Sequence, residues 1–397
     1  MNRDVTTVNR YRKKAISVTW HRRTVTLDLP VDVFSSFQLD RGTALLLRML
    51  MEAGRHWGHA FDLGCGYGPI ALCLATLELA ERIEATDRDA LAVLFANWNA
   101  AQNRAANICA RGGLDYQNGP AARCDLVISN IPAKVGESVH RLLLFGAADH
   151  LVETGEVWIV AVAPLEGEID RILAHPAVRV LDKRAKQDHV VYRYVFAGRP
   201  DLPDSPYHRC RQRFSWGGHA YDLDAAYGLP EFDTLSLATE AVLRDLGPAA
   251  RASPLRRVLV WNPGQGHLPI LVPRMSASLE RLAICSRDLL ALRTTQNNLQ
   301  KNGFAGPLAT YHAAGIGALD NETDLDLMVG ILNESEGIDI CREEIRDAVA
   351  GHPGTPLLVG CSSSFAGRLS PALKKQGIRT RVGTKGKGFC ALTCHAG

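Results

Sequence analysis

The sequence predicts two tandem copies of a doubly wound α/β fold with mostly parallel sheets. Two observations predict this fold class: short apolar runs alternate with helical patterns, and the second half of the chain repeats the first. Alternating strands and helices favour a parallel sheet that is covered by helices on both faces. We therefore expect two domains, residues 1–198 and 199–397, joined at the Pro-rich stretch 197–206.

The repeat is visible when the sequence is aligned with itself. Residues 17–50 match residues 213–246 without a gap, and Trp20 then lies over Trp216. The offset is 196 residues there, and it grows slightly further along the chain. The other matching stretches are 61–72 over 259–270, 86–93 over 285–292, and 124–132 over 325–333.

The elements of the first copy follow in order. The runs AFDLG, RIEATD, NICAR, CDLVIS and EVWIVAVA are short and rich in Val, Ile and Leu, which is typical of buried strands. The segments PIALCLATLELA and DALAVLFANWNAAQN between them predict helices. Two later runs, residues 177–182 and 190–196, are expected to close the sheet as a hairpin.

Composition limits the protein class. The longest apolar runs are too short to cross a bilayer and the amino terminus has no signal-like core, so we expect a cytoplasmic protein without a membrane segment. No second cysteine pair completes a metal site with Cys390 and Cys394, so no metal is predicted. The net charge of +3 is uneven, with basic clusters in residues 1–25 and 373–397. These clusters are either solvated tails or contacts for a phosphate-bearing partner.

A glycine-rich turn follows the first predicted strand of the first copy. Asp62 ends that strand, and Gly64, Gly66 and Gly68 lie in the turn into a helix. Glycines allow a ligand to approach the backbone, and an acid at this place suits an amine better than a pyrophosphate. Asp87 ends the next strand, where a carboxylate is well placed to bind ribose hydroxyls.

These residues resemble the class I S-adenosylmethionine-dependent methyltransferases. The resemblance implies a Rossmann-like methyltransferase fold with S-adenosylmethionine as the cofactor. It further implies that Asp62 and the glycine turn hold the methionine end, and that Asp87 takes the ribose. Arg88 and Asp115 are then expected near the adenine.

The stretch ISNIPAKVGE ends the fourth predicted strand, which in this family faces the methyl donor. Asn130, Ile131 and Pro132 resemble the family's Asn-Pro-Pro signature for methylation of planar nitrogens. Such a nitrogen is a poor nucleophile, and two acceptors that hold its protons aim its lone pair at the methyl carbon. The resemblance implies that the Asn130 side chain and the Ile131 carbonyl are those acceptors. The alternative for Asn130 is a strand-end cap.

One part of the signature is missing. Ala133 stands where the family has an aromatic residue, so stacking on the target ring must come from elsewhere. Phe34 and Phe37 are the candidates, although both also suit a hydrophobic core. Lys134 is a further candidate for substrate contact.

A narrower resemblance covers nearly the whole chain. VFSSFQLDRGTALLL, SNIPAKVGE and ETGEVWIVAVAP together resemble the two-domain ribosomal RNA guanine-N2 methyltransferases of the "methyltransferase small domain" type. That group also carries one inactive copy. In its well-known members the intact copy comes second, whereas here it comes first.

The second copy is predicted to be degenerate. Val260, Asn262, Ser286 and Ile331 stand opposite Asp62, Gly64, Asp87 and Asn130. We expect this copy to bind RNA through the basic segment 374–387 or to stabilise the first copy.

The expected activity is methylation of a guanine N2 amine in ribosomal RNA, with RNA or a ribosomal subunit as the partner. The alternatives are an N-methyltransferase of a small molecule or protein amide whose second copy forms a lid or dimer surface, a non-catalytic RNA-binding factor, and an NAD-dependent dehydrogenase. The sequence gives no oligomeric state.

Overall fold

Each half of the chain forms its own α/β unit. The structure, a computed structural model, describes residues 3–319, 322 and 324–397. The two units divide between Tyr207 and His208, whereas the predicted boundary lay between residues 198 and 199. The Pro-rich stretch 197–206 therefore belongs to the first unit.

The first unit contains a two-stranded hairpin and a seven-stranded sheet. Its strands are β1 (Arg12–Trp20), β2 (Arg23–Pro30), β3 (Trp57–Leu63), β4 (Ala80–Asp87), β5 (Ile108–Gly112), β6 (Cys124–Asn130), β7 (Leu151–Val162), β8 (Val178–Lys186) and β9 (His189–Phe196). Its α-helices are α1 (Arg3–Tyr11), α2 (Arg41–Ala53), α3 (Pro69–Thr76), α4 (Ala90–Gln102), α5 (Glu137–Phe145) and α6 (Glu166–Leu173).

The sheet of the first unit has the order β5-β4-β3-β6-β7-β9-β8. Strands β3 to β7 pair in parallel, and β8 and β9 form an antiparallel hairpin beyond β7. The doubly wound, mostly parallel sheet and its closing hairpin are therefore confirmed. The chain runs outwards from β3 to β5 and then returns to β6 on the other side of β3, which creates a topological switch point between β3 and β6.

The second unit has the same topology. Its strands are β10 (His208–Trp216), β11 (His219–Ala226), β12 (Arg257–Trp261), β13 (Arg281–Ser286), β14 (Leu308–His312), β15 (Leu327–Ile331), β16 (Leu357–Ser362), β17 (Ile378–Gly386) and β18 (Phe389–Ala396). Its α-helices are α7 (Leu237–Ala252), α8 (His267–Met275), α9 (Leu289–Lys301), α10 (Ile338–Gly351) and α11 (Ser363–Lys374). The sheet order, β14-β13-β12-β15-β16-β18-β17, repeats that of the first unit.

The apolar runs form the cores because parallel strands are covered on both faces. Phe61, Val127 and Ile159 lie on three neighbouring strands and pack in one buried cluster of the first unit. In the second unit Leu259, Met328 and Val359 do the same. In each sheet, the first parallel strand and its neighbours on one side are thus packed in a buried core. These strands support the loop that follows the first parallel strand.

Two interpretations of the sequence are wrong. The basic clusters are not solvated tails: residues 3–20 form α1 and β1, and residues 374–387 include the end of α11 and all of β17. The helix predicted for PIALCLATLELA ends at Thr76, and Ala80 already belongs to β4. Glu78 has a φ of 55° in the intervening turn, a left-handed conformation that a helix cannot contain.

No helix among the described residues is long and apolar enough to cross a membrane.

Candidate functional site

The candidate site lies at the carboxyl ends of β3, β4 and β6. In open α/β sheets ligands bind outside the carboxyl ends of the strands, at the switch point. Asp62 stands near the end of β3, Asp87 ends β4 and Asn130 ends β6. The fold therefore brings these three predicted residues to one edge of the sheet, although they are spread over almost 70 residues of sequence.

The glycine turn leaves open space above its backbone. Gly64 and Gly66 have φ of 73° and 55°, and a Cβ added to either would meet nothing within 4 Å. A Cβ on Gly68 would instead lie 3.2 Å from Ala96 of α4. The first two glycines thus leave room for a ligand beside the main chain, whereas Gly68 allows α3 and α4 to pack closely.

Backbone hydrogen bonds hold this turn to the end of β4. The amides of Gly64 and Cys65 donate to the Thr86 carbonyl at 2.8 and 2.9 Å. The amide of Gly66 donates to Asp87 Oδ2 at 2.8 Å, and the amide of Asp89 donates to Asp87 Oδ1 at 2.9 Å. Asp87 therefore supports the loop through both of its carboxylate oxygens.

Asp62 is a buried carboxyl group with one unsatisfied oxygen. Its Oδ2 accepts the Ala71 amide at 3.2 Å, while its Oδ1 is buried and has no hydrogen-bond partner. Burial, together with the nearby charge of Asp87, raises the pKa of Asp62 to about 7. A buried carboxylate without a counter-charge is costly, so this atom fits a cationic ligand group.

Of the two residues expected near the adenine, Arg88 adjoins Asp87 and Asp115 lies in a loop that begins near Asp87. Arg88 directly follows it and is half-buried. Asp115 lies in the loop after β5, has a φ of 54°, and accepts the Gln117 amide at 3.0 Å. That bond makes Asp115 a turn former, whatever else it contacts. The loop begins next to Asp87, because the Gly113 amide donates to the Asp87 carbonyl at 2.9 Å.

Asn130 is oriented by the start of α2. Its Nδ2 lies 3.0 Å from Asp40 Oδ2 and 3.0 Å from Thr43 Oγ1. Asp40 is also the N-cap of α2, accepting the Thr43 amide at 2.9 Å. An ionised carboxylate only accepts hydrogen bonds, so it requires the amide nitrogen of Asn130 on its side. The Asn130 oxygen therefore faces away from Asp40, as an acceptor.

The backbone after Asn130 is held on both sides. The Ile131 amide donates to the Val160 carbonyl at 2.8 Å, and strand pairing ends at Asn130. The Pro132 carbonyl accepts a hydrogen bond from His140 Nε2 at 2.8 Å, and His140 Nδ1 contacts Glu168. His140 is buried on α5, so it anchors the loop to the body of the unit.

The stacking candidates are exposed. Phe34 and Phe37 have exposed fractions of 70% and 64%, so the interpretation of both as core residues is wrong. The ammonium group of Lys13 lies 3.1 Å from the centroid of the Phe37 ring. The loop that carries both rings leads directly into Asp40, and Lys134 is exposed in the loop after Pro132.

Comparison with known proteins decides the family of this unit. Residues 24–191 match the family model described as "Methyltransferase small domain". The first unit is a methyltransferase small domain. The match confirms the predicted family and, with it, S-adenosylmethionine as the predicted cofactor. The open glycine turn and the unpartnered oxygen of Asp62 fit the amino-acid end of that molecule.

Two relatives are about one-third identical to this chain over an aligned stretch. The uncharacterized protein YbxB of Bacillus subtilis is 34% identical over 129 residues. The Ribosomal RNA small subunit methyltransferase C of Ectopseudomonas mendocina is 35% identical over 134 residues. Each alignment covers 32% of this chain, which spans 64% and 39% of the two relatives' own lengths.

One solved structure resembles the whole chain in fold. It is the 16S rRNA N2 methyltransferase RsmC of T. thermophilus, in complex with AdoMet and guanosine. The TM-score is 0.68 with 19% identity, and the match covers 97% of this chain and 98% of that one. The tandem arrangement of two methyltransferase-like folds is therefore confirmed.

The second unit lacks the polar groups of the methyltransferase site. Asn262, at the position of Gly64, has a φ of 52° and donates to the Ile331 carbonyl at 3.0 Å. Its side chain therefore bridges the ends of β12 and β15, where the first unit is open. Val260 and Ile331 provide no polar side chain in place of Asp62 and Asn130.

Sequence reasoning missed several residues of the methyltransferase site. Asp40, Thr43 and His140 orient the Asn-Ile-Pro loop. The signal that could have indicated Asp40 is an acid directly before a helical apolar pattern, which is typical of an N-cap. Asn99 was missed as well. Its amide bonds the backbone of Asp28 at 2.8 and 3.0 Å and the Tyr67 carbonyl at 2.9 Å.

The second unit repeats the Asn99 arrangement. Asn298 bonds the backbone of Asp224 at 2.9 and 3.0 Å and the Gln265 carbonyl at 2.9 Å. In both units a buried amide thus joins the amino-terminal hairpin to the turn after the first parallel strand. The internal alignment pairs these two asparagines, and that was the available signal.

Proposed function

We propose that this chain is an S-adenosylmethionine-dependent RNA N-methyltransferase that acts on the exocyclic N2 amine of a guanine in ribosomal RNA. The observation that carries the proposal is the orientation of Asn130. Its nitrogen is engaged by Asp40 and Thr43, so its oxygen is presented as an acceptor at the end of β6. Such an acceptor selects a target that carries N–H groups.

The chemistry requires two acceptors. The lone pair of an exocyclic amine is delocalised into its ring, so the amine is a poor nucleophile. Two fixed acceptors that bind both N–H protons orient the nitrogen so that its lone pair points at the methyl carbon. Asn130 Oδ1 is one, and the Ile131 carbonyl is the second. Because His140 holds the next carbonyl, the loop is oriented before the substrate arrives.

The cofactor would be held by the edge of β3 and β4. When bound, S-adenosylmethionine supplies an electrophilic methyl group on a sulfonium. Asp62 Oδ1 would accept a hydrogen bond from the ammonium group of its amino-acid end, and the open main chain at Gly64 and Gly66 would leave room for that end. Asp87 would accept hydrogen bonds from the ribose hydroxyls, and Arg88 and Asp115 would border the adenine.

The target base requires a stacking surface that Ala133 does not provide. Phe34 and Phe37 are exposed in the loop that leads into Asp40, the residue that touches Asn130. An exposed aromatic ring stacks on a base that has been turned out of an RNA helix. Lys134, exposed in the loop after Pro132, would contact a neighbouring phosphate.

The named relatives support the choice of RNA. Ribosomal RNA small subunit methyltransferase C is 35% identical over an aligned stretch of 134 residues, and RsmC, whose structure contains guanosine, shares the fold of the whole chain. Asn130 would hold any planar nitrogen in the same way, so the relatives, and not the site itself, favour RNA over a small molecule or a protein amide.

The test is transfer of a labelled methyl group from S-adenosylmethionine to ribosomal RNA, both free and in each subunit. Wild type is compared with Asn130→Ala and with Asn333→Ala, which removes an asparagine from the corresponding loop of the second unit. We expect transfer to a guanine N2 position, lost in the Asn130 variant and kept in the control. Binding of cofactor without label in any RNA would refute the RNA assignment.

A further inference from the structure

Six cations in the second unit form a group that the methyltransferase site does not explain. They all lie within residues 374–387, a stretch without any acid, and all six are exposed. None of them pairs with a carboxylate among the residues that the structure describes. The six are Lys374, Lys375, Arg379, Arg381, Lys385 and Lys387.

These cations follow the edge of the sheet. Strand β17 is the last strand in the order, so one side of it has no neighbouring strand. Arg379 and Arg381 are two residues apart and point to the same face. The pair Lys374 and Lys375 lies at the end of α11, and Lys387 lies in the turn to β18. We call this surface, residues 374–387, the β17 edge.

A histidine on the neighbouring strand lies within the electrostatic influence of the β17 edge. His395 of β18 is opposite Arg379 in the strand register. Burial lowers the pKa of His395, and the positive charges of Arg379 and Arg381 lower it further. These two arginines are therefore close enough to act on one site together.

The equivalent edge of the first unit differs. Strand β8 also carries basic residues, but Lys183 pairs with Glu166 and Asp170, and Arg184 pairs with Glu52. Cations on an edge strand prevent pairing with strands of other molecules. In β8, half of the cations are neutralised by ion pairs. Protection of the sheet edge alone therefore does not explain six cations without ion pairs in the second unit.

Two acids contact the β17 edge among the described residues. Glu343 of α10 accepts a hydrogen bond from Gln376 at 2.8 Å and is already paired with Arg342 and Arg346. Asp245 of α7 accepts hydrogen bonds from the amide of Thr384, at 3.2 Å, and from its hydroxyl group. Its carboxylate therefore fixes the end of β17 and keeps its own negative charge, but it forms no ion pair with any of the six cations among the described residues.

We propose that the β17 edge binds the phosphate backbone of the RNA substrate. The inference rests on the proposed function for the identity of the polyanion, and it gives the second unit a role that needs no cofactor. Exposed Lys and Arg side chains bind phosphates by displacing condensed counterions, and such binding is insensitive to base sequence. The β17 edge would thus supply affinity, while the first unit selects the base.

The test measures binding of a fluorescein-labelled RNA hairpin to the full chain over a range of salt concentrations. One variant neutralises the β17 edge and the other removes three charges from β8. The substitutions are Arg379→Gln, Arg381→Gln and Lys385→Gln in the first, and Arg179→Gln, Lys183→Gln and Lys186→Gln in the second.

We expect the β17 variant to reduce the slope of log Kd against log salt by about 2 to 3 units, since each lost phosphate contact removes about 0.7 to 0.9. The β8 variant should change the slope by less than half as much. The β17 variant should melt at the wild-type temperature, because its replaced side chains are exposed and form no ion pair among the described residues. The β8 variant loses the ion pairs of Lys183, so it serves as a control for the salt slope and not for melting.

Equal slope changes in the two variants would attribute the effect to net charge and overturn the inference, as would an unchanged slope in the β17 variant. Methyl transfer is measured separately. RNA binding that depends on the β17 edge without any methylation would refute the proposed function and leave this inference standing. Methylation of RNA that is unchanged by the β17 substitutions would support the proposed function and refute this inference.

Discussion

Affinity for S-adenosylmethionine should depend on pH through Asp62. The carboxyl group is fully buried, and burial with the nearby Asp87 raises its pKa to about 7. The ligand-free site therefore holds a proton on Asp62 over much of the acidic range. Only the ionised form attracts the ammonium group of the cofactor, so binding must remove that proton.

The magnitude follows from the pKa. A group with a pKa near 7 is about 90% ionised near pH 8 and about 10% ionised near pH 6. The Kd for the cofactor should therefore rise roughly tenfold when the pH is lowered from about 8 to about 6. Near pH 7, binding should release about half a proton per molecule of cofactor. If Asp62 causes the dependence of log Kd on pH, that dependence should disappear when its carboxyl group is replaced.

The same pKa has a consequence for stability. An acid whose pKa is raised on folding binds a proton more tightly in the folded state, so its contribution to stability falls as pH rises from about 4 to about 7. The ligand-free protein should therefore lose stability across this window on account of Asp62. Bound cofactor should oppose the loss, because its ammonium group compensates the buried charge.

The assay is isothermal titration of S-adenosylmethionine at several pH values, in buffers of different ionisation enthalpy. Wild type is compared with Asp62→Asn and with Glu84→Gln. Glu84 is another buried carboxylate, on β4, which lies one register position from Asp62 and points to the opposite face of the sheet. We expect the tenfold change and proton release in wild type and in the Glu84 control. A pH slope that survives in Asp62→Asn would refute the reasoning.

Three further predictions concern orientation, stacking and stability. Asp40→Asn should keep the helix cap but lower kcat about tenfold or more, because Asn130 loses its charged partner; Ser236→Ala, the equivalent cap of α7, should lower Tm and spare kcat. Phe37→Ala should raise KM for RNA roughly tenfold with Tm unchanged, and a kcat effect alone would contradict stacking. Glu156→Ala should destabilise by about 1 to 3 kcal/mol in urea unfolding, since it leaves the buried Trp57 indole N–H without its acceptor and removes the ionic partner of the half-buried Arg193; no measurable loss would contradict this.

The fold was predictable because its signal is local. Buried parallel strands are continuous apolar runs, and the duplication displayed the pattern twice. The glycine turn, Asp87 and Asn130 follow strands directly, so locating the strands also located these residues. By contrast, α1 escaped because its polar, basic sequence resembles a solvated tail, yet Val8 and Tyr11 are buried within it.

The supports of the site were harder to predict because their contacts are distant in sequence. Asp40 and Asn130 are 90 residues apart, and no pattern in either segment indicates that they meet. Asn99 is in the middle of a predicted helix, where an asparagine is ordinarily a solvent-facing residue. Its role becomes visible only when its partner on the hairpin is known.

The hairpin of β1 and β2 determines how this chain can be dissected by truncation. The family match begins at residue 24, inside β2, but the side chains of Val8, Tyr11 and Trp20 before it are 0%, 1% and 5% exposed. A fragment cut at residue 24 would leave β2 with a bare edge prone to aggregation. The turn after β3 shares the Asn99 amide with that same strand. An inactive fragment of this kind would therefore report a damaged scaffold, and would say nothing about which residues touch RNA.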